Sequence, residues 1–259
     1  MDSPVNAICF EQPLNERVRS LLRLEFLFDE FQHHAKDRSA WGIRSSLRTL
    51  LDILSVIGRT DLRTELIRDL SEQRNLLDRL RSGTGIDPVR LDTTLGEISA
   101  ALTALYGSSA HPSAIVRDNE FLFAILNRSS IPGGTCDFDL PAYHRWLARS
   151  QADTSADLAR WFAPLTAYRQ AVTLYLRLLR ESRSGVPHVA YGGVCLYVPQ
   201  GIYALLRVLI APDIDVYPEI SAGKHRFSFR FMRAGPAGTR NVQTSEDVPF
   251  LLQCCVLGN

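Results

Sequence analysis

Lysine is nearly absent from this chain. It occurs only at positions 36 and 224, so 27 of the 29 basic residues are arginine. Arginine's planar fork meets carboxylates and phosphates with two parallel hydrogen bonds, which a lysine ammonium does not. Two readings of the bias stay open, a binding role and plain genomic composition. No stretch approaches the roughly 18 consecutive apolar residues of a spanning helix. The opening MDSPVNAICF lacks a basic segment followed by an apolar run, so no secretory leader is read there. Both absences predict a cytoplasmic protein with no membrane contact. The five cysteines (9, 136, 195, 254 and 255) lack CxxC spacing, which fits reduced thiols rather than a disulfide framework or a zinc knuckle.

Several signatures of chemistry are also missing. Gly223-Lys224 is not a phosphate loop, because Pro218 stands where the upstream glycine belongs and His225 replaces the Ser or Thr. Gly83-Thr84-Gly85 lacks the third glycine of a dinucleotide turn, since Pro88 occupies that place. Glu219 takes the glycine position of a nucleophile elbow around Ser221. Ser221 to Lys224 matches SxxK, but no KTG or SDN accompanies it. The histidines (33, 34, 111, 144, 188 and 225) are scattered, with no HExxH. The expectation is a protein without catalytic residues, metal or cofactor, and not an enzyme.

What is present is enough apolar material for a real core: 46% of 259 residues. Helical periodicity begins at Asn15, a candidate cap, and carries Val18, Leu21, Leu22, Phe28 and Phe31, with Arg19 and Arg23 sharing a face. The spacing predicts further helices from Thr60 to about Arg81, from Asp87 to Tyr106, from Val116 to Arg128, from Pro141 to Ala152, and from Ser155 to Ser182 with a break at Pro164. After Ser184 the texture changes. GGVCLYVPQG, YALLRVLIA, DVYPEI, HRFSFRFMR and VPFLLQCCV are short, bounded by Gly, Pro or Asp, and rich in Val and aromatics, so they read as strands. The short stretch Ala7 to Phe10 is available to pair with them. The predicted class is α+β: a mostly helical domain over 14–184, then a smaller antiparallel β domain over 185–259 that takes in an N-terminal strand at 5–13.

Two stretches stand out. SIPGGTCDFDLPAYHRWL, residues 130–147, brings a glycine pair, a cysteine, two aspartates and a histidine together. Cys136 and His144 are the residue types of a nucleophile and its base. The structural reading explains more of it: Pro132-Gly133-Gly134 is turn chemistry, Asp139 a helix cap, Pro141 a first-turn residue, and Trp146 and Leu147 a buried face. The second stretch is KHRFSFRFMR, residues 224–233. A period of two puts Lys224, Arg226, Ser228, Arg230 and Met232 on one face, and His225, Phe227, Phe229, Phe231 and Arg233 on the other. Between Ile220 and Ser245 there are five basic residues and no acid, a local formal charge of +5. Such a strip attracts an acidic peptide or a phosphate backbone. It is equally the solvated outer face of a sheet. Alternating aromatics also suggest the strand of an RNA-recognition module, and nucleic-acid binding through 224–233 is the alternative function, although His225 stands where that motif wants glycine.

Four stretches, FEQPLNERVRSLLRLEFLF (10–28), RTDLRTEL (59–66), SIPGGTCDFDLPAYHRWL and YPEISAGKHRFSFRFM (217–232), with LLQCC as a fifth, resemble in order and spacing the ZapD family of bacterial cell division proteins. The resemblance implies a helical domain joined to a β domain, a homodimer, and a place at the mid-cell division site. It also implies binding to the C-terminal tail of FtsZ, with filaments bundled and their GTP turnover reduced, and no nucleic-acid partner. Arg19, Arg23, Arg59, Arg63, Lys224, Arg226 and Arg230 are basic residues inside the matching motifs. They are the candidate tail-binding patch, with His144 in support. The chain departs from the expected pattern between Val116 and Arg128, where Asp118 and Glu120 stand beside Arg117.

Overall fold

The computed structural model describes residues 7–58, 61–82, 87–108, 112–236 and 239–257. Arg59, Thr60, where the predicted helix begins, and the glycines at 83 and 85 lie outside them. In chain order come β1 (Ile8–Pro13), α1 (Glu16–His34), α2 (Ala40–Ile57), α3 (Leu62–Arg79), α4 (Pro88–Gly107), α5 (Ser113–Arg117), α6 (Glu120–Ser129), α7 (Pro141–Leu147), α8 (Gln151–Phe162) and α9 (Thr166–Glu181). Then follow β2 (Val186–Ala190), β3 (Val194–Tyr197), β4 (Leu205–Ile210), β5 (Tyr217–Ala222), β6 (Phe227–Arg233), β7 (Val242–Gln243) and β8 (Val248–Cys255). Helices first and antiparallel strands after make the class α+β, as the sequence pattern predicts. The chain forms two compact units, one of Met1–Arg19 with Arg177–Asn259, the other of Ser20–Leu176.

Caps explain most helix boundaries. The Asn15 side chain accepts from the Val18 N–H at 2.8 Å, and Asp87 accepts from Val89 and Arg90 ahead of Pro88. These satisfy donors that a first turn leaves orphaned. Asp61 caps α3. Asn119 caps α6 and thereby breaks the predicted 116–128 helix in two. Ser150 caps α8 at Gln151, which moves the boundary between the predicted 141–152 and 155–182 helices a few residues earlier. Pro164 sits in a 3-10 turn, Ala163–Leu165, that separates α8 from α9. Asp139 is not a cap: Leu140 precedes α7 without a side-chain bond, because Asp139 turns back to Cys136. The helix α2, which lies outside the helices the sequence pattern predicts, buries Ile43, Leu47, Leu50, Leu51 and Leu54. In the same unit Phe31 stacks on Phe162 at 4.2 Å, and Phe121, Tyr143, Trp146 and Trp161 form a second aromatic cluster.

The sheet-bearing unit is a sandwich. One sheet runs β1-β4-β8-β2 and the other β3-β6-β5, with β7 extending along β6, all pairs antiparallel. Phe227, Phe229 and Phe231 of β6 meet Val208, Phe250 and Leu252 of the first sheet, with Phe231 and Phe250 ring centroids 5.0 Å apart. The chain passes from one sheet to the other at Tyr191-Gly192-Gly193-Val194. Gly192 and Gly193 have φ of 54° and 75°, the left-handed geometry that tight two-residue turns require. A Cβ on Gly193 would also collide with the Thr244 carbonyl. β2 was not anticipated, because Pro187 interrupts its short run; it is an edge strand, where a missing N–H is tolerated.

On the other face of the first sheet, Glu11 of β1 accepts from Arg180 Nε and Nη2 at 2.8 and 2.9 Å and from Arg207 Nε at 2.9 Å. Arg207 also donates to Gln253 at 2.7 Å, and Gln253 donates to the Arg183 carbonyl. Burial pushes the Glu11 carboxyl up, but the hydrogen bonds and charges of Arg180 and Arg207 outweigh it and hold it below its ordinary value. A depressed carboxyl contributes stability that is present above the ordinary glutamate value and lost as pH falls through the depressed one. Protection factors of the β1 and β4 amides, with the intrinsic pH dependence of exchange divided out, are therefore expected to fall on acidification in the native protein, and to lose that acid dependence in Glu11→Gln, which starts out less protected at neutral pH. The inward face is checked separately. Phe229 has no exposed surface, so Phe229→Ala is expected to lose about 3 to 5 kcal/mol in denaturant unfolding; a loss near zero would place the ring outside the core.

Candidate partner-binding surface

The cationic strip is a hairpin. β5 and β6 pair with Glu219 opposite Arg230 and Ser221 opposite Ser228. The turn between them closes with the Gly223 N–H donating to the Arg226 carbonyl at 3.0 Å. Strand structure starts only at Phe227, so Lys224, His225 and Arg226 belong to the turn and not to the alternating strand. From Phe227 onward alternation holds: the phenylalanines are buried and Arg230 faces solvent. Arg233 has the parity of the phenylalanines yet is exposed, because it ends the strand. Buried phenylalanines cannot stack on bases, which removes the geometric basis for an RNA-recognition strand.

The charge of the strip is smaller than its sequence window suggests. Arg230 Nη2 pairs with Glu219 at 2.8 Å and Arg233 Nη2 with Glu246 at 3.1 Å. Both acids lie one residue beyond the ends of the 220–245 window, so five basic residues face two acids and the local charge is +3. Lys224, Arg226 and Arg240 are exposed and make no ion pair among the described residues.

The other candidates are placed as follows. Arg19, in the same unit as the hairpin, pairs with Glu16 one turn earlier at 2.9 Å. Arg23, Arg63 and His144 belong to the helical unit. Arg23 is exposed, with no ion pair among the described residues. Arg63 is engaged: its Nε donates to the Leu105 carbonyl at 2.9 Å and its Nη2 to the Tyr106 carbonyl at 3.0 Å. These are carbonyls of the last turn of α4, which have no partner within that helix. His144 Nδ1 lies 2.9 Å from Asp137 Oδ1.

The glycine-rich stretch resolves in the same unit. Gly133 has φ 72°, and Gly134 leaves no room for a Cβ against the Arg128 carbonyl and Ile131. Cys136 Sγ donates to Asp139 at 3.2 Å. Cysteine and histidine thus engage different aspartates rather than each other. Asp137 is held from α2 as well, by Arg44 Nη2 at 3.3 Å, while Arg44 also donates to the Thr135 carbonyl. The Arg44 guanidinium lies 5.1 Å from the Tyr143 ring centre and 5.6 Å from that of Trp41. Burial pushes the Tyr143 hydroxyl up to about 12, against the pull of Arg44. The sequence offered no local signal for Arg44, since its partners are about ninety residues away. Among the described residues no group of three or more His, Cys, Asp or Glu is placed to hold a metal ion, and no helix is long and apolar enough to cross a membrane.

If Arg63 closes the end of α4, Arg63→Met is expected to cost about 1 to 3 kcal/mol of stability in denaturant unfolding followed by tryptophan fluorescence, since Trp41, Trp146 and Trp161 all lie in the helical unit. Unaltered stability would leave Arg63 free for a surface role.

The model of a family described as cell division protein ZapD matches residues 22–230. A Methylococcus capsulatus protein named cell division protein ZapD is 38% identical over 254 residues, covering 97% of this chain and 99% of its own. Proteins of the same name from Cupriavidus taiwanensis (39% over 251 residues, 96% and 99% covered) and Nitrosomonas eutropha (38% over 251 residues, 96% and 100% covered) match along essentially the whole length. Identity of this extent across both compact units, including the hairpin and the 130–147 loop, establishes that the chain belongs to the ZapD family of cell division proteins.

Proposed function

We propose that this protein binds the C-terminal tail of FtsZ through its β5–β6 hairpin and, as a homodimer, cross-links FtsZ filaments into bundles at mid-cell. In this role it promotes ring assembly and slows GTP turnover without itself being an enzyme. The observation that carries the reading is the exposed pair Lys224 and Arg226 at a tight turn, beside Arg230 on the outer strand face. A cationic turn above a rigid sandwich presents charge at little entropic cost, and it suits carboxylates on an extended peptide. Arg19, Arg23, Arg59 and His144 are proposed as further tail contacts. Arg63 is better explained by its bonds to the end of α4.

Two tail sites per dimer would let one molecule hold two filaments. Many tails along a filament keep a released site near another, so contacts that are weak singly suffice together. A site built from exposed ion pairs is screened over about 8 Å at physiological salt, which keeps each contact reversible.

The test is co-sedimentation with FtsZ and GTP, beside FtsZ lacking its C-terminal tail. Bundles are expected to pellet with the full-length partner and not with the truncated one. Arg226→Glu with Arg230→Glu is expected to abolish pelleting while leaving circular dichroism unchanged, since neither side chain enters the core. Equal pelleting of tailless FtsZ would remove the tail from the mechanism, and intact bundling by the double variant would remove the hairpin.

A further inference from the structure

Arg230 is not an empty binding group. The β5–β6 register sets Glu219 directly across from it, and the Glu219 carboxylate lies 2.8 Å from its Nη2. On its other side Arg230 faces Val194 of β3, and its diagonal neighbours on β5 are Tyr217 and Ser221, so Glu219 is the carboxylate that the flanking strands offer it. The two side chains remain 57% and 45% exposed. An exposed pair of this kind is held weakly and exchanges with solvent and with other ions. The nearby turn differs: Lys224 and Arg226 have no ion pair among the described residues.

We propose that Glu219 is a built-in competitor for Arg230 that sets the affinity of the hairpin for an acidic peptide; this rests on the hairpin being the tail site. An incoming carboxylate gains the full interaction with Lys224 and Arg226, but on Arg230 it only replaces a carboxylate already there. The displaced Glu219 then stands beside the bound acid and repels it. Glu219 therefore weakens each contact without altering the shape of the site, and filaments joined through many such contacts stay exchangeable. The placement requires the strand pairing. Eleven residues separate Glu219 from Arg230 along the chain, and only the hairpin brings them together.

The experiment is fluorescence anisotropy of a labelled FtsZ tail peptide with the full chain and with Glu219→Gln, Arg230→Gln, the combination of the two, and Arg226→Glu with Arg230→Glu. Glutamine keeps the size and hydrogen-bonding capacity of residue 219, and thermal melts check that each variant is folded. Glu219→Gln is expected to tighten binding about two- to fivefold, the range open to an exposed ion pair, and to give no gain when Arg230 is already glutamine. An unchanged Kd in Glu219→Gln overturns the proposal. So does an equal gain in both backgrounds, which would make Glu219 part of the general field and not a competitor. Those outcomes leave the site reading intact as long as the double charge reversal abolishes binding. Peptide binding that survives the double reversal would overturn the hairpin as the site, and the competitor with it.

Discussion

A carboxylate at position 11 ties the sheet-bearing unit together. It faces two arginines brought from 169 and 196 residues away, and one of these passes the connection on to Gln253 and the backbone at Arg183. None of these groups is tolerated alone at such burial, because a mostly buried charge without its partner is strongly destabilising. β1, the end of α9, β4 and β8 are therefore specified jointly. The outer hairpin depends on this frame indirectly: β6 stands on the phenylalanines that pack against β4 and β8, and the register of β4 and β8 is the one in which Glu11, Arg207 and Gln253 meet.

The same contrast separates the arginines by role. Arg180 and Arg207 are less than a quarter exposed and act as structure. Arg63 closes the end of a helix, and Arg44 spans α2 and the 130–147 loop while lying against two aromatic rings. Arg226 and Arg23 remain at the surface. An arginine-rich composition alone does not distinguish these uses. The fork that suits a partner's carboxylate serves internal carbonyls and carboxylates equally well.

What could be read from the chain divides along the same line between local and distant partners. The α+β class, the strands after Ser184, the caps Asn15 and Asp87, the break at Pro164 and the inward phenylalanines of β6 follow from periodicity and neighbours a few residues apart. The helix α2 is equally legible, since Ser39 caps it and Ile43, Leu47, Leu50, Leu51 and Leu54 repeat at helical spacing. Asp139 resembled a cap because its bond to Cys136 has no sequence signature. The charge of the hairpin was overstated because strand register, which decides that Glu219 meets Arg230, is not contained in any window of composition. Family membership was legible through motif order. For a partner surface the sequence offers only a set of candidates, one of which, Arg63, is engaged with the carbonyls at the end of α4.

The separation of 196 residues between Glu11 and Arg207 also shapes how the protein is made. During synthesis β1 emerges ahead of α1 to α9, yet its partner β4 and then β8, which lies inside the sheet and not at its edge, follow only after these helices. The contacts within 20–176 are available much earlier. Non-local strand pairing is the slow class of folding event, and strands waiting for partners are exposed to wrong ones. The nascent chain thus carries an unpaired strand, with Glu11 still in water, while residues 16–181 are made. An ionised carboxylate in such a waiting strand opposes its pairing with wrong edges.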